Sequence, residues 1–312
     1  MPRLAVVIPA YKGAFLQKTL ESLALQTNQD FSVYIGNDDG DKNIEQIVQQ
    51  FAGRLIITYK YFNDNMGSIS LVKQWERCFA LTQNEEWLWL LPDDDYADPA
   101  CVSLFYKNVL QYDFDLWRFN VKFVTDEGSV FKTNAELPEI QSAFDSLLEK
   151  LSFVRPSTVA EFIFRKAKFD QTGFAEIPMA WGTDDMLWFL MGRDKGIFGC
   201  NEAFVYLRQS HLNFSNNYHS LGEKKIAANF IFFNMLLQTE AFAAEIADEN
   251  KKEQFKKTAI NHIMYNLQDF SLKPRLPDMI WYAIKGNRIW GGGILANIRR
   301  FYLNNKRISQ KN

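Results

Sequence analysis

The chain is poor in cysteine and has no long apolar run. Its three cysteines, Cys78, Cys101 and Cys200, are odd in number, far apart and without C-x-x-C spacing. That excludes a disulfide framework and a zinc ribbon, and leaves reduced thiols as the reading. No apolar stretch approaches the roughly 18 residues that span a bilayer. Ahead of the strand-like run at Leu4 there is no basic segment and no cleavage pattern, so no signal peptide is expected and the protein is read as cytoplasmic. A net charge of −2 excludes a global field that would gather nucleic acid. Acid is also missing locally. After Asp278 there is no Asp or Glu, while Lys285, Arg288, Arg299, Arg300, Lys306, Arg307 and Lys311 follow. Such a run is ordinarily a solvated basic tail.

What is present is an ordinary globular balance, 47% hydrophobic and 23% charged over 312 residues, enough for one large α/β domain and an appendage. The 27 Phe are many. They imply a well-filled core, with aromatic platforms for sugars or bases as the other reading.

The first half alternates strand and helix patterns. Leu4–Ile8 is a continuous apolar run that stops at Pro9, as a buried parallel strand does. Leu16, Leu20 and Leu23 then recur at helical spacing. Phe31–Ile35 is a second strand, and Ile44, Ile47, Val48 and Phe51 mark an amphipathic helix. Leu55–Tyr61 is β-branched and aromatic. Val72, Trp75 and Phe79 mark a third helix, and Trp87–Leu91 a short buried strand. Asp98 as cap and Pro99 at the first helical position start the next helix. This alternation predicts a mostly parallel sheet with helices on both faces. Trp117, Phe119, Val121 and Phe123 alternate with Arg118, Asn120 and Lys122, which predicts a half-buried strand. From about Gly222 the pattern is helical. The expected division is a catalytic domain over residues 1–220 and a helical extension over 221–312.

Ligands of an open parallel sheet bind beyond the carboxyl ends of its strands. Three polar clusters fall there: Pro9-Ala10-Tyr11-Lys12 after the first strand, Asn37-Asp38-Asp39-Gly40 after the second, and Asp93-Asp94-Asp95 after the fourth. Three adjacent carboxylates raise one another's pKa unless a cation relieves them. A hard divalent ion such as Mg²⁺ or Mn²⁺ does so through oxygen ligands and can bridge a diphosphate leaving group. The plainer alternative is a solvated acidic turn ahead of a helix.

The segments "AVVIPAYKG", "VYIGNDDG", "NDNMGSISLVKQWERCFAL", "WLWLLPDDDYADP" and "WGTDDMLW" resemble, in order and in rough spacing, the motifs of the family 2 glycosyltransferases. The resemblance covers about residues 4–210. It implies a GT-A type α/β fold, a nucleotide-diphosphate-sugar donor with UDP as the carrier, a divalent metal, and inversion at the anomeric carbon. Carried over by position, Pro9, Ala10 and Tyr11 line the nucleoside pocket, Asp39 contacts the base, and Asp38 lies beside it. Gly67 lets the backbone approach the nucleotide. Pro92 stands where the family often has an acid, so the donor and metal site moves onto Asp93, Asp94 and Asp95, with Asp94 the foremost metal ligand. In the second acidic pair, Asp184-Asp185, the second member would be the general base. Two acids favoured by a helix N-terminus are the alternative. Arg208 would clamp phosphate oxygens, and His211 would complete the metal shell or touch the diphosphate. Trp181, Trp188 and Tyr218 are candidates for stacking on an acceptor sugar, with core packing as the commoner use of the Trp residues. His219 and His262 have no assigned role.

The implied acceptor is a glycan or a lipid-linked glycan. A helix from about Ile294 would gather Ile294, Leu295, Ile298, Phe301 and Tyr302 on one face with basic residues around it, a pattern suited to a membrane interface. Two other readings compete. A sugar nucleotidyltransferase would need a Gly-rich basic loop after the first strand, where "PAYKG" has one Gly and one Lys. A catalytically inactive nucleotide- or sugar-binding scaffold sits poorly with two intact acidic clusters.

Overall fold

The computed structural model describes residues 3–210 and 218–311, the side chains of 218–220 and 309–311 excepted. The strands are β1 (Leu4–Ala10), β2 (Phe31–Asp38), β3 (Ile57–Phe62), β4 (Trp87–Leu90), β5 (Tyr96–Ala97), β6 (Leu116–Val124), β7 (Val130–Thr133), β8 (Ile140–Gln141), β9 (Phe162–Arg165) and β10 (Ile197–Arg208). The helices are α1 (Leu16–Ala24), α2 (Asn43–Gln49), α3 (Leu71–Phe79), α4 (Cys101–Val109), α5 (Ala143–Leu151), α6 (Lys166–Thr172), α7 (Thr183–Gly192), α8 (Tyr218–Gln238), α9 (Glu240–Glu245), α10 (Glu249–Asp269), α11 (Leu276–Trp290) and α12 (Ile294–Lys311).

All ten strands join one sheet in the order β3-β2-β1-β4-β9-β6-β10-β5, with β7 on β6 and β8 on β10. The pairs β1/β2, β2/β3, β1/β4 and β6/β10 are parallel. Strand β9 is antiparallel to both β4 and β6. Two reversals restore the direction, so β1, β2, β4, β6 and β10 all end at the same edge. That edge positions the site. The apolar runs explain the strands: every residue of β2 and β4 is buried, and Leu4, Val6, Ile8, Val33, Ile35, Trp87 and Trp89 join one core with Leu16, Leu20 and Leu23 of α1.

The chain divides into two compact units. The first comprises residues 1–143, 157–175 and 187–212, and the second 144–156, 176–186 and 213–312. The helical unit therefore includes two segments that precede residue 220, where the sequence pattern alone suggested a single boundary. Phenylalanine fills both interiors. In the first, Phe79, Phe164, Phe169 and Phe174 pack with ring centroids 4.9–6.0 Å apart. In the second, Phe242 stands 4.7 Å from Phe255 and 6.1 Å from Phe144.

Three expectations are corrected. Strand β6 is not half-buried: Arg118 and Asn120 are as enclosed as their apolar neighbours. Arg118 pairs with the fully buried Glu161 at 3.1 Å, which in turn accepts from the Thr158 main chain and hydroxyl. Asn120 bonds Asn201 and the Ala135 carbonyl. Charge and amide partners from distant segments make these positions buriable. The second concerns α12. It begins at Ile294 as expected, but its buried line is Asn297, Phe301, Asn304 and Ile308, while Ile294, Leu295 and Tyr302 are exposed. Trp290 Nε1 donates to Asn297 Oδ1 at 3.0 Å, and Gln268 Nε2 donates to Asn304 Oδ1 at 2.6 Å. Those partners turn the asparagines inward. Helix α4 also starts at Cys101 rather than Pro99, with Asp98 Oδ1 accepting the Ala100 N–H at 3.0 Å.

Candidate active site

The acidic turn lies at the shared strand edge, directly after β4. Asp93 folds back onto the end of β1, and its Oδ2 accepts the N–H groups of Tyr11 and Lys12 at 2.8 and 2.9 Å. Asp95 reaches the end of β10, where its Oδ1 accepts the Arg208 N–H at 2.9 Å. Asp94 lies between them, half-buried. Burial and the neighbouring Asp94 push the Asp93 carboxyl up to about 7. Burial, Asp94, Glu161 and Asp93 raise Asp95 well above its ordinary value. Asp94 is raised by burial, against the opposing pull of Lys12 and Arg208.

The main chain of this turn is held separately from its carboxylates. The buried Thr19 hydroxyl donates to the Asp95 carbonyl at 2.7 Å and to the Asp93 carbonyl at 3.2 Å. One turn on, Ser22 Oγ accepts the Ala97 N–H at 3.2 Å. Beyond α1, Gln26 donates to the Asp98 carbonyl at 2.8 Å and accepts the Val102 N–H at 3.0 Å. Residues 19, 22 and 26 share a helical face. Sequence reasoning registered Leu16, Leu20 and Leu23 and missed this polar line beside them, although its spacing was the signal. Arg208, expected as a phosphate clamp, is 3% exposed. Its guanidinium donates to the carbonyls of Asp94, Thr125 and Asp126 at 3.1, 2.8 and 2.5 Å and lies 4.3 Å from the Phe15 ring centroid. In this structure it is a strut beneath the turn. His211 lies outside the described residues.

At the end of β2, Asp38 and Asp39 diverge. Asp38 is buried, and its carboxylate accepts the N–H groups of Met66 and Gly67, each at 2.8 Å, and the Arg77 guanidinium. A Cβ on Gly67 would stand 2.6 Å from Asp38 Oδ2, so the close approach that glycine permits here is by Asp38. Arg77 also donates to Asp64 Oδ1 at 2.7 Å and to the Asp64 carbonyl at 2.8 Å, and stands 3.9 Å from the Phe62 ring centroid. It ties α3 to the ends of β2 and β3. Asp39 is exposed, with φ of 55°, and accepts the Tyr61 hydroxyl. Tyr61 and Tyr11 are both exposed rings at this edge, Tyr61 on β3 and Tyr11 just past β1. Ala10 is buried in the core, and Pro9, within β1, pairs with Gly36. Arg77 and Tyr61 went unnoticed in the sequence because their partners lie 39 and 22 residues away.

The second acidic pair belongs to the helical unit. Asp184 and Asp185 open α7 after a strained approach: Met179, Ala180 and Gly182 all have positive φ, at 62°, 54° and 90°. For Met and Ala that conformation is costly and clusters at functional sites. Asp185 is 8% exposed, with Lys150 Nζ of α5 3.9 Å from its Oδ2. Trp181 donates to Asn229 Oδ1 at 3.2 Å, and Lys225 Nζ sits 4.5 Å from its ring centroid. Asn229 also meets His262 Nε2 at 3.3 Å, and His262 Nδ1 meets the Leu151 carbonyl at 2.8 Å. Burial drives the His262 pKa down to about 4, so this ring is structural. Trp188 is core, stacked 4.3 Å from Phe162. The Tyr218 side chain lies outside the described residues.

A sequence model of Glycosyl transferase family 2 matches residues 5–177, more than half of the chain. The chain belongs to glycosyl transferase family 2. An uncharacterized glycosyltransferase of Mycoplasma pneumoniae is 31% identical over 127 residues, a match covering 38% of this enzyme and 40% of that protein. The chain thus matches less than half the length of that relative. The fold is that of S. aureus TarS 1–349 in complex with UDP: the TM-score is 0.72 at 14% identity, over 99% of this chain and 92% of that one. A mannosyltransferase from Pyrobaculum calidifontis, in complex with GDP-Man and Mn²⁺, follows with a TM-score of 0.54 at 14% identity, over 98% and 87% of the two chains. The chain therefore has the GT-A architecture, with a helical C-terminal region.

The glycosyltransferase's donor set fits a divalent cation of one kind. Among the described residues no group of three or more His, Cys, Asp or Glu is arranged to hold a metal. Asp93 and Asp95 already accept main-chain N–H groups, which leaves the Asp94 carboxylate at the centre of the turn. Mg²⁺-like ions are commonly held by one or two carboxylates plus substrate phosphates, rather than by an all-protein cage. The turn suits an ion that arrives with a diphosphate.

The acidic pair has a pH signature. Burial and the neighbouring Asp185 push the Asp184 carboxyl up to about 7, against the pull of Lys150. In the unfolded chain it titrates near the ordinary aspartate value of 3.8. Between those limits the folded state holds more protons, so stability falls as pH rises through that window. Asp184→Asn should therefore melt above the parent enzyme at pH 8, with the gap closing toward pH 4. Thermal melts across that range check it. A gap that is independent of pH would show that the Asp184 charge carries no folding penalty.

Proposed function

We propose that this glycosyltransferase moves a sugar from a nucleoside diphosphate donor, with UDP as carrier, to a hydroxyl of a glycan or lipid-linked glycan, with inversion. The observation that carries the reading is the acidic turn. Its main chain and its two outer carboxylates are fixed by protein partners, and the Asp94 carboxylate is left at the edge where β1, β2 and β4 end. Tyr11 and Asp39 lie at that edge and would face the nucleoside, with Pro9 and Ala10 forming the floor beneath. Asp94 would hold a divalent cation, with Asp95 and Asp93 beside it. Bound there, the cation would neutralise charge developing on the departing diphosphate. The acceptor oxygen attacks the anomeric carbon from the face opposite the leaving group, the bond from that carbon to the diphosphate oxygen breaks, and the nucleoside diphosphate departs. Asp185 takes the acceptor hydroxyl proton as that oxygen attacks. It stands in the first turn of α7 with Lys150 Nζ 3.9 Å from its Oδ2.

Thermal melts with UDP, GDP and their sugar conjugates, each with and without Mn²⁺, test the reading. A nucleotide at about 100 times its dissociation constant should stabilise the fold by about 2.7 kcal/mol. UDP should do so in a Mn²⁺-dependent way. No shift with any nucleoside diphosphate, with or without metal, would overturn the donor class.

A further inference from the structure

Helix α11 turns a line of apolar side chains outward. Leu276, Ile280 and Ile284 recur every four residues, and with Trp281 beside them they are exposed, Leu276 by 59%. The helix has used its other side for packing, where Met279, Tyr282, Ala283, Gly286, Ile289 and Trp290 are buried. Helix α12 likewise exposes Leu295, by 83%, and Tyr302 and Leu303. Cations stand against the exposed rings. Lys285 Nζ is 5.5 Å from the Trp281 ring centroid, and Lys306 Nζ is 5.0 Å from that of Tyr302. One carboxylate belongs to the two helices. Asp278 is engaged at the N-terminus of α11, accepting the Arg275 N–H at 3.0 Å with the Arg275 guanidinium at 3.6 Å.

We propose that this face docks on the surface of an anionic lipid bilayer. Apolar and aromatic side chains interleaved with lysine and arginine match the boundary between acyl chains and charged headgroups. Among the described residues no helix is long and apolar enough to cross a membrane, so the contact is interfacial. Charge decides the occupant. Seven basic residues after Asp278, set against a whole-chain charge of −2, leave −9 on residues 1–278. An anionic surface attracts the basic end of the chain and repels the rest, which fixes orientation as well as affinity. A second copy seated on the same face would set lysine and arginine against lysine and arginine. The proposal goes beyond the donor chemistry and does not depend on it.

Flotation of the full-length protein with vesicles tests it. Vesicles of phosphatidylcholine with about one-third phosphatidylglycerol should capture the protein at least about tenfold better than phosphatidylcholine alone. The double variant Ile280→Asp/Ile284→Asp alters exposed positions only and should melt like the parent, yet lose about tenfold or more in capture. Lys285→Glu/Arg288→Glu should remove the preference for anionic lipid. Equal capture of the parent and Ile280→Asp/Ile284→Asp would overturn the proposal, as would no capture by either vesicle. So would a lipid-independent dimer, seen by sedimentation, that the same double variant abolishes.

Discussion

Asp185→Asn should lower turnover by about 10²–10⁴-fold, the usual contribution of a general base, while nucleotide affinity stays near that of the parent enzyme. Asparagine keeps the shape of the side chain and its place in the first turn of α7 but cannot take the acceptor proton. The fold should survive, because Lys150, whose side chain is 30% exposed, can rely on water once its partner is neutral. Turnover measured with donor and acceptor at saturation, alongside calorimetric titration of UDP, separates a lost proton acceptor from lost binding. If Asp184→Asn is the crippled variant and Asp185→Asn turns over normally, the base is the first member of the pair and the assignment moves by one residue.

The acidic turn gives the other large effect. Asp94→Asn should abolish Mn²⁺-dependent strengthening of nucleotide binding. Its rate should fall on the order of 10³-fold, since a Lewis-acid cation supplies several kcal/mol to the transition state and each factor of ten costs about 1.36 kcal/mol. The apo protein should not pay for the change. Asp93 and Asp95 keep their main-chain donors, and removing the middle charge relieves the repulsion that adds to burial in raising Asp93 to about 7. Calorimetry of UDP with and without Mn²⁺, together with a melting curve, checks both halves. Unchanged affinity in Mn²⁺ would remove Asp94 from the metal site.

Much of this architecture was legible because buried parallel strands are written as unbroken apolar runs. Leu4–Ile8, Phe31–Ile35 and Trp87–Leu91 announced β1, β2 and β4, and the polar clusters that follow them fell on one edge. Strand β9 was not legible. Phe162–Arg165 is four residues long, and its antiparallel insertion between β4 and β6 follows from pairing with distant partners. The same non-locality hid Arg118, whose partner Glu161 lies 43 residues on, and turned an expected solvent face into core. In α12, counting apolar residues did not separate the buried Phe301 from the exposed Leu295 and Tyr302, nor show that Asn297 and Asn304 would turn inward to donors on Trp290 and Gln268. Local periodicity does not encode which polar groups will meet a partner. At the site, the carboxylates stood out as residues, whereas Thr19, Ser22, Gln26, Arg77 and Tyr61 are common residue types that acquire their roles through the fold.

The polar line of α1 makes the acidic turn a mount with exchangeable fittings. Its main chain is held at the Asp93 and Asp95 carbonyls by Thr19, and the chain just beyond it, at Ala97, Asp98 and Val102, by Ser22 and by Gln26 past the end of the helix. The identity of the side chain at position 94 is therefore uncoupled from the path of the backbone. A harder or softer ligand could be installed there to retune which cation is preferred without asking the sheet to refold. Chemistry at this edge can drift by single substitutions while the scaffold stays constant.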